Sequence, residues 1–194
     1  MNKRKIILDL CGGSGAWSAP YKKAGYDVRL VTLPDMDARK YKPPRWVWGI
    51  LAAPPCDHFA VSGAQYWKQK DRDGRTAEGL SVLDACLYII WSSEERRGLQ
   101  WWALENPVGR IPALRPGLGP PRMYFNPCDY GDAYTKKTAL WGTFNPPETW
   151  PVKPVRVCSQ GSWIQSLGGK SAKTKFLRSR TPPGFARAFY QANP

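Results

Sequence analysis

Closely spaced cysteines are missing from this chain: of its five, at positions 11, 56, 86, 128 and 158, the nearest two stand 30 positions apart. Without a C-x-x-C clip the usual zinc frameworks and sequence-local redox pairs are excluded, and no metal is expected. The odd count argues against structural disulfides in a chain read as cytoplasmic, so each cysteine is either core filler or a nucleophile. Long apolar runs are missing too: none approaches the roughly 18 to 20 residues of a spanning helix. Met1 to Lys5 leads straight into Ile6-Ile7-Leu8 with no secretory apolar region. The expectation is a soluble, cytoplasmic protein with no membrane partner. No internal repeat and no long linker interrupt the 194 residues, of which 42% are apolar, so one domain and a monomer are expected.

Acidic residues run out after Glu148. The chain carries 29 Lys and Arg against 15 Asp and Glu, a net charge of +14. Eight of the basic residues (Lys153, Arg156, Lys170, Lys173, Lys175, Arg178, Arg180 and Arg187) follow Thr149 with no acid among them. Either a solvated face or a surface for a polyanion gives such a run, and nucleic acid and anionic membrane both fit the sign. Interleaving with Trp150, Trp163 and Phe176 favours a groove that tracks phosphates and stacks bases.

The pattern along the chain is that of an open α/β sheet. Ile6 to Leu10 reads as a strand, Cys11 to Gly15 as a glycine turn and Ala16 to Ala24 as a helix; Val28 to Val31 is a second strand. Trp48 to Ala53 is too short for a helix and ends at Pro54-Pro55, like a buried parallel strand. Leu80 to Trp91 is the clearest helix, and Trp101 to Leu104 a strand stopping at Glu105-Asn106-Pro107. Tyr66 to Thr76, charged and poorly periodic, reads as a mobile loop. In such a sheet, ligands bind at the carboxyl ends of the strands.

Three of those ends carry chemistry. Asp9 to Gly15 lies between strand and helix, where glycines admit a ligand to the backbone; it is neither G-x-G-x-x-G nor a P-loop, and a merely tight turn is the competing reading. Cys56, behind two prolines, is rigidly placed, which favours a nucleophile over filler. His58, two residues on, is read as structural or as lying at a substrate edge. Glu105 is either a partly desolvated carboxyl that gives or shares a proton, or a capping or ion-paired residue with Arg110 in reach.

Together these segments resemble the cytosine-C5 DNA methyltransferases, in particular the small single-domain members found in bacteriophages. Asp9 to Gly15 is similar to the family's D-L-F-x-G-x-G loop, Pro54 to Gly63 to its P-P-C loop with a downstream F-S-x-x-G, and Glu105-Asn106-Pro107 to its E-N-V motif. Asp129-Tyr130-Gly131 with Lys136-Lys137-Thr138 resembles the Y-G-x-P-Q-x-R-x-R segment, with a lysine register open by one residue. Thr181 to Ala186 resembles the closing motif. The resemblance spans about residues 5 to 142 and the last twenty or so.

The resemblance implies a single Rossmann-like domain with a mostly parallel sheet covered by helices on both faces. It implies S-adenosylmethionine as methyl donor, held by Leu10, Cys11, Gly12, Gly13, Ser14, Gly15, Ala16, Trp17, Thr32, Asp35, Asp37, Pro54 and Thr181. Cys56 would add to cytosine C6 and Glu105 would act at N3, with Lys136 or Lys137 and Thr138 on the base O2 edge or its phosphate. DNA would present a flipped or single-stranded cytosine to Ser62, Arg110, Lys170, Lys173, Lys175, Arg178 and Arg180. The chain departs from the family in having Asp57 where a glutamine follows the cysteine, and Thr32-Leu33 where an acid holds the ribose. Residues 1–148 would be the catalytic core and 149–194 a basic segment, with a reduced recognition region at 143–175 and a closing helix at 180–192 returning to the core. Such a short region predicts relaxed sequence recognition, with phosphate contacts supplying much of the affinity. A tRNA-directed enzyme of the same chemistry, one acting on a free nucleotide, and a non-catalytic nucleic-acid-binding protein are the competing readings.

Overall fold

A computed structural model describes residues 5–159, 161–167 and 171–194. Its frame is a six-stranded sheet of β1 (Ile6–Leu10), β2 (Asp27–Val31), β3 (Gly49–Ala52), β4 (Trp101–Pro107), β5 (Met123–Phe125) and β6 (Thr138–Thr143) in the order β2-β1-β3-β4-β6-β5. The first four are mutually parallel, and β6 runs antiparallel to both β4 and β5. From β1 the chain goes outward to β2 and then returns to the other side of β1 with β3, so the strand order reverses between β1 and β3. The turns leaving these two strands therefore flank the crevice where open α/β sheets bind ligands.

Side-chain alternation along each strand feeds two separate cores. Leu8, Leu10, Ile50, Ala52, Trp102 and Leu104 face α3 (Arg75–Glu95), which meets them with Leu83, Cys86, Leu87 and Ile90 at helical spacing. Ile7, Leu51, Trp101 and Ala103 face the opposite way, toward α1 (Ala19–Lys23) and α7 (Pro183–Ala192). Each such aliphatic side chain contributes about 1.5–3 kcal/mol on full burial. Helices thus cover both faces of a Rossmann-like α/β sheet.

The C-terminal helix completes the second core. Phe185 stacks on Phe125 with ring centroids 3.9 Å apart, and Phe189 meets Trp17 edge-on at 5.5 Å. A Cβ on Gly184 would fall 1.8 Å from the Tyr130 carbonyl oxygen, so only glycine lets the first turn of α7 settle there. Its N–H donates to Asp132 Oδ2 at 2.8 Å.

Three elements differ from the sequence expectation. The helix expected over 16–24 is confined to α1: Gly15 has φ +68°, and Pro20 is compatible only with a first turn. The strand expected to stop at Leu104 continues to Pro107, because β6 pairs with it as far as Thr138. The segment read as a mobile loop holds α2 (Trp67–Arg72), with α3 beginning at Arg75. Arg110 grips Asp71 through two hydrogen bonds of 2.8 Å and lies 4.8 Å from the Trp67 ring, while Lys70 reaches the Asp57 carbonyl.

Candidate active site

Cys56 leaves β3 through Pro54 and Pro55, and its carbonyl accepts the N–H groups of Phe59 at 3.0 Å and Ala60 at 2.9 Å. The turn so formed is fastened to the β4 side of the sheet. Val61 N–H donates to the Val108 carbonyl and Arg110 N–H to the Phe59 carbonyl, each at 3.0 Å. Beneath them the buried Asn106 side chain donates Nδ2–H to the Pro54 carbonyl at 3.0 Å. One residue earlier on the same strand is Glu105, whose Oε1 lies 4.0 Å from Lys136 Nζ.

The three groups act on one another. Burial pushes the Glu105 carboxyl up from its ordinary range, and Lys136 opposes the shift. Burial also pushes the Cys56 thiol up; Lys136 draws it down, and Glu105 and Asp57 push it further up. The site thus sets a thiol and a carboxyl, both pushed up by burial, in the field of Lys136. Thr138 is buried and donates its hydroxyl to the Lys136 carbonyl at 2.9 Å, fixing the backbone from which Lys136 reaches in. Lys137 lies elsewhere, exposed and 5.5 Å from the Tyr124 ring.

His58 does not join the cluster. Its ring packs against Phe59 and the backbone of Gly79, its Nδ1 is buried without a partner, and Nε2 lies 3.3 Å from Asp57 Oδ1. Burial holds its pKa below the usual imidazole value.

Across the crevice is the glycine loop. Asp9 is completely buried at the end of β1 and accepts the Ser18 hydroxyl at 2.5 Å; burial raises its pKa to about 6, and its second oxygen has no partner. The loop backbone lies directly on this carboxyl: a Cβ on Gly12 would sit 2.2 Å from Oδ1. Cys11, Gly13 and Gly15 all have positive φ, at +57°, +55° and +68°. Gly13 N–H donates to Thr32 Oγ1 at 3.2 Å, bringing Thr32 to the loop. Ser14 and Ala16 lie in its turns, Asp35 is exposed, and Leu10 and Trp17 are core residues. Asp37 is held by Arg39 at 2.6 Å, which lowers it to about 2.

The candidate nucleic-acid contacts are dispersed. Arg110 is committed to Asp71, Thr76 and the His58 carbonyl, leaving its guanidinium no free edge comparable to those of the tail. Ser62 is exposed next to the Cys56 turn. Lys173, Lys175 and Arg178 are exposed on α6 (Ala172–Ser179), and Arg180 follows it; Thr181 is half-buried before α7, and Lys170 lies outside the described residues.

Sequence reasoning missed the segment that joins this tail to the site. Around α5 (Trp163–Ser166), Ser162 Oγ accepts the Thr135 N–H at 3.0 Å and Gln165 Nε2 donates to the Thr135 carbonyl at 2.7 Å. Trp163 packs on Tyr134 with centroids 5.1 Å apart, and burial raises Tyr134 to about 12 within the field of both Arg180 and Glu105. The sequence signals are Trp163, read within the basic tail, and the position of Tyr134, two residues before Lys136. Asn106 carries no sequence signal beyond its place in the Glu105-Asn106-Pro107 motif. Among the described residues no three His, Cys, Asp or Glu side chains are grouped as a metal site needs, and no helix is long and apolar enough to cross a membrane.

No family model matches the chain, and a search of curated proteins gives no match. Among solved structures, the chain is similar to an E. coli prophage protein described as a DNA modification methyltransferase, with 16% identity over 77% of this chain and a TM-score of 0.44. It is also similar to the Entamoeba histolytica methyltransferase EhMeth, at 10% identity over 88% of this chain and a TM-score of 0.40. The chain spans 53% of the first protein's length and 62% of the second's.

Proposed function

We propose that this chain is a DNA cytosine-C5 methyltransferase of minimal architecture that uses S-adenosylmethionine. The observation that carries the reading is the convergence of Cys56, Glu105 and Lys136 at the carboxyl edge of the sheet, across the strand-order reversal from a glycine loop. The loop residues fit a ligand with hydrogen-bond donors: a buried carboxylate oxygen on Asp9 has no partner, and three residues of positive φ turn the backbone around it. Cys11 to Trp17, with Thr32, Asp35, Asp37, Pro54 and Thr181, would hold the cofactor. When bound, it supplies an electrophilic methyl group for cytosine C5.

The protein's part is to make C5 nucleophilic. Cys56 gives its proton to bulk water and Sγ bonds to C6, while Glu105, whose carboxyl burial pushes up, gives a proton to N3; the electron pair of the C5–C6 double bond moves onto C5. Lys136 steadies both groups: it favours the thiolate as it forms and the carboxylate once Glu105 has given up its proton. After substitution at C5, the C5 proton leaves to water, the Sγ–C6 bond breaks and N3 returns its proton to Glu105, which restores the aromatic ring and returns the thiolate. A cytosine inside a duplex cannot reach Cys56, so the base enters flipped out or single-stranded. Incubation with DNA and methyl-labelled cofactor tests the reading. The expected product is 5-methylcytosine, made by the wild type and not by Cys56→Ser. Label on adenine N6 or cytosine N4, or undiminished activity in Cys56→Ser, would overturn it.

A further inference from the structure

Two thiols outside the Cys56 cluster meet behind the glycine loop. Cys11 Sγ and Cys86 Sγ lie 3.8 Å apart although 75 positions separate them in the chain. Cys11 opens the loop in a left-handed conformation, φ +57°, with its N–H donating to the Val31 carbonyl at 2.7 Å. Cys86 is fully buried on α3, amid Leu83, Leu87 and Ile90. The chemistry assigned to Cys56 uses neither. The remaining cysteines face other partners: Cys128 Sγ meets Asp129 Oδ1 at 3.9 Å and Cys158 Sγ the Gly161 carbonyl at 3.6 Å. Spacing along the chain excludes only sequence-local pairs, and the fold brings these two distant thiols together.

We propose that Cys11 and Cys86 form a peroxide-sensitive dithiol that closes reversibly into a disulfide and ties the glycine loop to α3. The two sulfurs differ in the way the chemistry requires. Cys11 is half-buried at the loop edge, where a peroxide can reach it, whereas Cys86 is fully buried; their mutual contact, in which either thiol can donate, draws Cys11 down and, with burial, pushes Cys86 up. Cys11 is therefore the attacking thiol. Its thiolate takes one oxygen of a hydroperoxide: an S–O bond forms, the O–O bond breaks, and the leaving hydroxide or alkoxide takes up a proton. Cys86 sulfur then bonds to Cys11 sulfur and displaces hydroxide, which leaves as water with the Cys86 proton. The thiols lose two electrons and the peroxide gains them. A small dithiol reductant reverses the reaction by exchange.

Closure has a mechanical consequence. A disulfide bond is about 2.05 Å long, so the sulfurs must approach by roughly 1.8 Å. α3 is packed into the core against the sheet, whereas Cys11 belongs to a turn, so the loop makes the movement and carries with it the backbone that lies on Asp9. The consequence for a ligand rests on reading this loop as the cofactor loop.

The test is treatment of the full chain with hydrogen peroxide, alkylation of the remaining thiols, and tryptic mapping. The expected product joins peptide 6–22 to peptide 76–96, two hydrogens lighter than their sum, and reverts with dithiothreitol. Cys86→Ala should abolish it and leave Cys11 as a sulfenic acid that dimedone traps. Both thiols still alkylatable under peroxide that oxidises Cys56, or disulfides only between other pairs, would overturn the proposal. Binding of S-adenosylhomocysteine is then compared between the two forms, with affinity about tenfold weaker expected after oxidation. Equal affinity would overturn the coupling of the disulfide to the loop. A reduced protein that binds none of it would instead overturn the cofactor reading, while the peptide map still decides the dithiol.

Discussion

Asn106 donates its side-chain N–H to the Pro54 carbonyl at 3.0 Å, the side-chain tie between the strand bearing Glu105 and the prolines that precede Cys56. Both groups are buried, so Asn106→Ala leaves the Pro54 carbonyl without its donor, at a cost of about 1–3 kcal/mol. The functional loss should exceed what stability explains, because the loop that sets the distance from Cys56 to Glu105 is released. Urea unfolding together with kcat measured well below the melting temperature checks this. A variant destabilised as expected but with unchanged kcat would show that the prolines and the backbone bonds of the turn position Cys56 without Asn106.

Asp9 makes stability fall as the pH rises. Its folded pKa is raised from 3.8 to about 6 by burial, so between these values the folded state holds a proton that the unfolded state has released. The unfolded state binds fewer protons there, and the unfolding free energy drops with pH, by up to about 3 kcal/mol for a shift near 2 units. Asp9→Asn keeps an acceptor for the Ser18 hydroxyl but has no charge to bury. The variant's stability relative to wild type should therefore rise between pH 4 and pH 6 and then level off. Parallel urea titrations at each pH provide the comparison, and a constant difference between the two proteins would contradict the assignment.

Lys136 and Lys137 separate cleanly in a thiol-reactivity experiment. Lys136 holds down both Cys56 and Glu105, whereas Lys137 lies over Tyr124. Lys136→Met should move the pH profile of Cys56 alkylation by iodoacetamide to higher pH. Glu105→Gln, which removes a negative charge, should move it lower, and Lys137→Met should leave it in place. Quantifying the alkylated peptide that contains Cys56 gives each profile.

The strand cores were legible because Ile6 to Leu10 and Gly49 to Ala52 are short apolar runs closed by glycine or proline, a local signal. α2 was not, because what holds it is remote: Asp71 finds Arg110 only 39 positions later. The same distance explains the partner of Glu105. Arg110 is its neighbour in sequence, but β4 continues past Glu105 and the antiparallel β6 brings Lys136 to it. The lysine register was open for a related reason, since adjacent residues of an extended chain point to opposite sides and composition does not say which side faces the site. Cys11 and Cys86 meet because β1 and α3 pack, which no spacing rule encodes.

Truncation and charge removal should separate the two roles of the C-terminal segment. Ending the chain after Glu148 deletes α7 and strips Phe185 and Phe189 from Trp17, Phe125 and Tyr130. Two buried phenylalanines alone are worth several kcal/mol, about 3–5 each on removal, which is comparable to the whole stability of a domain this size. The truncated chain should therefore lose its cooperative unfolding transition, and any loss of nucleic-acid binding in it would say nothing about charge. Replacing Lys173, Lys175, Arg178 and Arg180 with alanine is the informative change: all four are exposed and none belongs to either core. This variant should keep the wild-type melting temperature. Its DNA affinity should fall, and the plot of log affinity against log salt should flatten by up to about 3 to 4, if each cation meets one phosphate. An unchanged salt slope would assign the electrostatic contact to the catalytic part of the chain.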